Sequence, residues 1–463
     1  MRASLFACTV ACASLAAAPL ASASQGAVDS VAVDAVAVDA GAVAGHAGES
    51  GAAGVERGLV VLCGKALALP LEGQQVIDNA ALVVEDGKIV SVTPRAEVDL
   101  EALAKTHDIL DRSGDWVSPG LIDLHSHVAG RSFFTNDLND MVYLTNPGIR
   151  AFTSVVPGNS DFVVGRAAGV TSVLYIPGSG TNIGGHGVLL KTGFDNYERM
   201  EIRNPGSLKL AQAGNPESYL SGVGRSFMNW NTRNTIERGI AYAKRWEAFS
   251  NGDGPRPKVD PMWEVFRDLY AKQTQLSAHT QIYQVVLRTV QMIKEDLGLD
   301  VYIDHGSFDG WRAAPFAAKA GVPAILGPRQ ISASINIEYR PGLFIVNDND
   351  GAIFGMAAKY QEGGCTLIGF NTDAPVIGQE ALPLQASMAV RYGFKNDAVE
   401  HVRGLTIIPA FAAGIHDRIG SLEPGKDADF IVTSGDPTDP RTQVHLTFQE
   451  GERVYDAEVE RRF

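Results

Sequence analysis

The sequence predicts an α/β protein: a (β/α)8 barrel of the TIM-like kind with a small β-sandwich built from both chain ends. Three observations predict it. Eight short apolar runs alternate with helical patterns between residues 116 and 419, the signature of strands joined through helices. Strand-like segments with turn signals flank that region on both sides. Histidines, a lysine and an aspartate fall just after the apolar runs, at the strand ends where such barrels carry their chemistry.

The first 23 residues give one Arg, an apolar stretch and then Ala21-Ser22-Ala23, the small-x-small form of a signal-peptidase site. Export, to the periplasm or beyond the cell, is expected, with the mature chain starting near Ser24. The apolar run is short for a span, and no later segment offers about 20 uninterrupted apolar residues. No transmembrane segment is therefore expected in the mature chain, and the neighbours of Cys8 and Cys12 match a lipid-attachment site poorly.

Residues 24–56 repeat Val-Ala-Val-Asp-Ala and then run into Gly, Ala and Ser without aromatics. With no large side chains to offset ordering entropy, a disordered linker is expected, and His46 within it is read as solvated.

From 57 to 115 the texture is β. "NAALVVEDGKIVSV" holds two β-rich runs around Asp86-Gly87, a hairpin signal. Residues 420–463 read alike, with strands near Phe430 to Thr433 and Val444 to Phe448 and a turn at Glu450-Gly451. Both ends are expected to join one sheet structure.

Between them, strands are expected at the run leading into His125 and His127, then at "GVTSVLYI", "GVLLKT", "SLKLAQ", "QLSAHT", "DVYIDH", "VPAILG" and "TLIGFNTD". Eight is the number that a closed parallel barrel of this class requires. After the fifth run, Ile282, Val285, Val286, Val290 and Ile293 recur at helical spacing and should face the sheet. The Arg- and aromatic-rich stretch from Arg225 to Phe249 is read as a helix packed on the barrel, with Arg225 and Trp230 as its pocket-reaching candidates.

Composition narrows the function classes. About 400 residues follow the linker, enough for one large barrel with an attached module. With 53 acidic against 39 basic residues the formal charge is −14, which argues against a nucleic-acid partner because phosphate binding rests on clustered Lys and Arg. Cys63 and Cys365 are too few for a disulfide framework and are read as buried thiols with no bridge predicted.

The chemistry begins at "SPGLIDLHSHV", where His125 and His127 lie two apart and would project from one face of a strand. Lys209, His279, His305 and Asp373 each lie at or just past the end of a later strand, so a barrel gathers all six around one axis. Neutral imidazoles and carboxylates suit zinc and similar divalent ions, with a coordination position left to water. Water so bound becomes acidic enough to form hydroxide near neutral pH. Asp373, in "GFNTDAPV", is placed to bind the same ion and to shuttle the proton, which makes it the candidate catalytic base. Any one of these histidines, taken singly, is more often a hydrogen-bonded core residue; their joint placement turns the reading.

Lesser candidates are Asp123, as acceptor for an imidazole N–H, and His186 in "NIGGHGVLL", a substrate-binding candidate on a glycine-flanked loop. His107, His401, His416 and His445 read as surface or packing residues.

These motifs resemble the amidohydrolase superfamily: "PGLIDLHSH" at the first strand, "HT" after the fifth, "DHG" after the sixth, "NTDAP" after the eighth and "GSLEPGKDADFIV" near the tail. "IPGSGTNIGGHGVLLKT" and "LKLAQAGNP" are similar to the imidazolonepropionase-like branch, with Gly178 and Gly180 shaping the loop after the second strand. The resemblance runs from about residue 59 to the C-terminus. It implies that His125, His127 and Asp373 hold one divalent ion, zinc by preference, and that His279 and His305 hold a second. Lys209 would bridge them as a carboxylated side chain, with Lys191, at the end of the third strand, as its competitor. A single-ion variant would use His125, His127, His279 and Asp373 and leave His305 to orient water or polarise the substrate.

The activity this implies is cleavage of a C–N bond in an amide, cyclic amide or dipeptide by metal-activated hydroxide, on a small-molecule or short-peptide substrate. An esterase or lactonase on the same site and a non-catalytic exported metal-binding protein are the alternatives. Substrate identity, one ion or two, and assembly as a homo-oligomer stay open at this level.

Overall fold

The computed structural model describes residues 57–130, 143–212, 214–219, 222–332 and 354–462. The leader at 1–23 and the linker at 24–56, with His46, lie outside them.

Val76–Glu85 and Lys88–Pro94 pair antiparallel around Asp86-Gly87, whose φ values of 48° and 73° are the left-handed pair that a two-residue type I′ turn needs. Glu450-Gly451, at 49° and 74°, does the same between Val444–Gln449 and Glu452–Asp456. Both hairpins belong to one seven-stranded sheet. Its order is Glu452–Asp456, Val444–Gln449, Phe430–Thr433, His107–Pro119, Gly58–Leu67, Val76–Glu85 and Lys88–Pro94. The ends therefore do share a sheet, joined at His107–Pro119, which runs parallel to Gly58–Leu67 and antiparallel to Phe430–Thr433. Val61, Leu82 and Val84 from the amino end meet Phe430, Leu446 and Phe448 from the carboxyl end in one core. The Phe430 and Phe448 rings stack at 4.5 Å, a contact worth about 0.5–1.5 kcal/mol beyond its buried area.

His107–Pro119 passes through Gly120 into the barrel. Its strands are Leu121–Ser126, Val170–Tyr175, Ile183–Lys191, Glu201–Ala211, Leu276–Thr280, Val301–His305, Ala324–Leu326 and Ile368–Phe370, each hydrogen-bonded to its neighbours in chain order. All eight expected runs are strands, but one departs from the expected parallel arrangement. The third is antiparallel to both the second and the fourth. Only residues 176–182 separate it from the second strand, whereas a parallel crossover needs about a dozen residues or more. Its beginning, not its end, therefore lies on the face where the other strands finish.

Leu208, Leu210, Leu276, Ala278 and Ile303 form the outer wall, packed under Ile236, Val286, Val290 and Ile293 from the surrounding helices. The helix expected after the fifth strand is Tyr283–Arg288, continued by the wider π-type turns of Thr289–Asp296. The Arg-rich stretch is the helix Arg225–Ser250. Its Gly239 lies so close to Phe266 that an added Cβ would come 2.2 Å from the ring. Inside, Ile122, Leu124, Leu174, Leu189, Tyr302 and Ile325 fill the lower half together with Ala410 from the helix Ile407–Ala412. Polar groups are left to the opposite end.

The seam between the first and eighth strands has no regular ladder among the described residues. It closes through a single bridge from Ser126 to Ala374 and through Asp123, whose carboxylate accepts from the backbone N–H and hydroxyl of Thr372. Cys63 and Cys365 are buried free thiols. No helix among the described residues is long and apolar enough to cross a membrane.

Candidate functional site

Along the first strand Ile122 and Leu124 face the packed interior, so strict alternation would turn His125 away from it. A bulge between Asp123 and Ser126 against the second strand lets His125 follow Leu124 inward, a typical use of an extra residue. Nε2 of His125 then lies 3.1 Å from Nε2 of His127. Oδ1 of Asp373 sits 3.2 Å from the first and 3.3 Å from the second.

The sixth strand needs a different correction. Tyr302 and Asp304 point inward, which by alternation leaves His305 outside. A left-handed backbone at His305, φ 73°, turns its ring back, and Asp373 is likewise left-handed at φ 52°. Such conformations cost about 1–3 kcal/mol each and concentrate at functional sites. The His305 ring lies 4.4 Å from that of His125 and 4.2 Å from that of His279. Nζ of Lys209 is 3.3 Å from Nε2 of His125. All six residues expected to meet are thus brought together.

Each imidazole is held through Nδ1. His125 contacts Asp304 Oδ2 at 2.5 Å, His127 the Ile176 carbonyl at 2.8 Å, His305 the Gly327 carbonyl at 2.8 Å and His279 the Ser179 hydroxyl at 2.6 Å. A carbonyl only accepts, so Nδ1 of His127 and of His305 donates and each Nε2 keeps its lone pair. Nε2 of His279 and of His305 is buried without a hydrogen-bond partner. Two such buried nitrogens side by side, neither with a hydrogen-bond partner, are costly as a purely hydrogen-bonding arrangement. They suit a cation: imidazole nitrogens with a carboxylate, each ring held from behind, are the ligand set of zinc-like divalent ions. Ligand atoms of His125, His127 and Asp373, and of His125, Asp304 and His305, lie within 4.8 Å of one another.

The electrostatics match an ionised Asp373 and three neutral imidazoles, with His125 the exception. Burial pushes His127 and His279 below the usual histidine value and His305 down to about 4. Burial acts on His125 too, but Asp304 outweighs it and holds this ring above the usual value. Burial opposes ionisation of Asp373 as well, and the neighbouring His125 and His127 overcome it, keeping the carboxyl well below the carboxylate range. Lys209 is pushed down by burial, with Asp304 at 3.6 Å acting the other way.

Four other sequence readings are settled by position. Lys191 ends the antiparallel third strand at the far end of the barrel, where its buried Nζ contacts Asp427 at 2.7 Å and Asp429 and Glu450 at 3.0 Å. It is no rival to Lys209. Asp123 bonds the His125 backbone N–H and Thr372 rather than an imidazole; the bulge that turns His125 in leaves Asp123 turned out. The imidazole acceptor is Asp304, which the "DHG" motif contained but which sequence reasoning passed over. His186 is not on a loop but in the third strand, opposite Leu208, whose side chain packs outside the barrel. Facing pairs share a side, so His186 points away from the axis and is no substrate contact there. Trp230 packs at a tilt against exposed Phe227, and Arg225 pairs with Glu217.

Comparison with known proteins adds the following. Residues 346–456 match the family model described as the amidohydrolase family. The chain is 44% identical over 377 residues to an imidazolonepropionase of Shewanella frigidimarina, covering 77% of this chain and 86% of that protein. It is 26% identical over 398 residues to the amidohydrolase tasK of Hapsidospora irregularis, covering 77% of this chain but only 38% of tasK. Among solved structures, an amidohydrolase from Thermotoga maritima superposes with a TM-score of 0.72 at 25% identity, over 86% of this chain and 100% of that one.

Proposed function

Because the chain belongs to the amidohydrolase superfamily, in its imidazolonepropionase-like branch, we propose that it is an exported, metal-dependent hydrolase of amide C–N bonds. The observation that carries this reading is the convergence of His125, His127 and His305 on the carboxylate of Asp373, with His279 packed against His305 and every imidazole held through Nδ1.

His125, His127 and Asp373 would hold one ion, and His279 and His305 a second. Lys209 fits the bridging role by position, and its burial favours the neutral amine that must react with carbon dioxide to become a carboxylate-like ligand. A divalent ion, zinc by its ligand set, supplies Lewis acidity and an acidified water. The protein's own work is the proton. Asp373, with 19% of its side chain exposed where His125 and Lys209 have none, faces the mouth, takes the proton of the attacking water and returns it to the leaving nitrogen. Asp304 and the Ile176 and Gly327 carbonyls keep the rings from turning. The imidazolonepropionase relative favours a cyclic amide as substrate over an open one. The leader-like residues 1–23 support export.

The test is elemental analysis of purified protein together with a panel of cyclic amides, dipeptides and lactones. Stoichiometric zinc with cyclic-amide turnover is expected. Preference for lactones would move the activity to esters, and no turnover with a filled site would make the chain a metal-binding protein.

A further inference from the structure

Three of the four imidazoles rest on groups that only accept a hydrogen bond: the Asp304 carboxylate and the carbonyls of Ile176 and Gly327. His279 alone rests on a hydroxyl, that of Ser179, which can donate as well as accept. The two residues come from opposite parts of the barrel mouth, since Ser179 lies in the segment 176–182 after the second strand and His279 near the end of the fifth.

The antiparallel third strand is what makes them meet. It turns that segment into a hairpin instead of a crossover, and Asn182 pins its far end. The Asn182 side chain donates to the Ala211 carbonyl at 2.8 Å and the Asn182 backbone carbonyl accepts from the Ala211 N–H, also at 2.8 Å, fastening the hairpin to the end of the fourth strand. The turn is tight: a Cβ added at Gly184 would come 3.1 Å from Pro177 and 3.3 Å from the Gly178 carbonyl. Ser179 is buried and delivered from a fixed frame.

We propose that Ser179 is a positioning residue for the ion site: its hydroxyl accepts the Nδ1 proton of His279 and so keeps the Nε2 lone pair aimed at the centre. The inference rests on reading the four-imidazole cluster as a cation site. The direction of the hydrogen bond follows from the cation reading, because Nε2 of His279, buried with no hydrogen-bond partner, must keep its lone pair to hold an ion. A proton there would be a donor with nothing to receive it. A proton on Nδ1 meets the Ser179 oxygen directly.

The experiment uses the full chain, with Ser179→Ala and Ser179→Thr, and zinc or cobalt ions alone as probes. Ser179→Ala should bind zinc about 10- to 100-fold more weakly in chelator competition and shift the visible bands of the cobalt-loaded protein, with the melting temperature of the metal-free protein unchanged. Ser179→Thr, which keeps the hydroxyl, should restore most of the affinity. In metal-free protein carrying nitrogen-15-labelled histidine, His279 should be protonated on Nδ1 in the wild type and a mixture of tautomers in Ser179→Ala. Wild-type affinity and spectrum in Ser179→Ala would overturn the proposal, as would equal losses in both variants or an Nε2-protonated His279 in the wild type. A wild-type protein that takes up no ion would instead sink the cation reading, and the ion-directing role of Ser179 with it, while the tautomer measurement still decides the hydrogen bond.

Discussion

Oδ2 of Asp304 lies 2.5 Å from Nδ1 of His125, joining residues 179 positions apart, neither of them exposed to solvent. Asp304 also accepts from the Asn371 side chain at 3.1 Å and faces Lys209 at 3.6 Å. One buried carboxylate thereby orients a ring and faces the one lysine that the described residues bring to the site.

Asp304→Asn keeps the shape and removes the charge. Loss of such an outer partner costs about 10- to 100-fold in metal affinity or activity. Zinc affinity by chelator competition should fall by that range while the circular-dichroism spectrum is retained; undiminished affinity would deny Asp304 its orienting role.

Asp373→Asn leaves a neutral group that cannot take a proton from water. A general base contributes about 10²- to 10⁴-fold, so kcat should drop at least that far, further if an ion is lost as well. Stopped-time assays on the best substrate of the panel, with metal content measured on the same sample, separate the two effects.

The two buried lysines should fail differently. Lys191→Met leaves buried Asp429 without its cation, while Asp427 keeps Lys88 and Arg418 and Glu450 keeps Arg418 and Arg199, and breaking a buried ion pair from one side costs about 3–5 kcal/mol. Urea unfolding should show that loss, with metal uptake per folded molecule unchanged. Lys209→Met should do the reverse, sparing stability and lowering metal uptake and turnover.

The same network sets a pH window. Burial disfavours the charged Lys191, but Asp429 and Asp427 outweigh it and raise its pKa. Its stabilisation is therefore full below the ordinary lysine value, about 10.4, and lost as pH rises through the raised one. Burial disfavours charged Asp427 too, and Lys191, aided by Lys88 and Arg418, outweighs it and lowers that pKa. Its stabilisation is full above the ordinary carboxylate value, about 3.9, and lost as pH falls through the lowered one. Thermal unfolding of Lys191→Met should show shallower losses than wild type at both ends of a pH series.

Gly239→Ala adds the Cβ that would meet Phe266 at 2.2 Å. Overpacking of this kind costs about 1–3 kcal/mol, enough to outweigh the better helix propensity of alanine. Denaturant midpoints decide it, and a stabilised variant would show that the Arg225–Ser250 helix shifts freely.

Much of this architecture is legible in the chain because strand-end chemistry survives without coordinates. His125, His127, His279, His305 and Asp373 each close an apolar run, and both hairpins carry their Asp-Gly or Glu-Gly turn openly. Direction is harder to read. An apolar run such as "GVLLKT" looks the same whichever way it points, and only the short gap at 176–182 betrays the antiparallel third strand. The inward turns of His125 and His305 depend on a bulge and a left-handed residue, which side-chain alternation alone assigns to the wrong side. For the same reason Asp123 looks like the imidazole's partner in sequence when Asp304 fills that place in space.

Where the cylinder meets itself, a carboxylate and a threonine stand in for the rungs found elsewhere. A wall stitched by side chains can part locally without unzipping its neighbours, and this stitch lies one residue from the catalytic candidate Asp373. Slow opening of the barrel should begin along that line, and amide hydrogen exchange should register it first at Thr372 and Ala374.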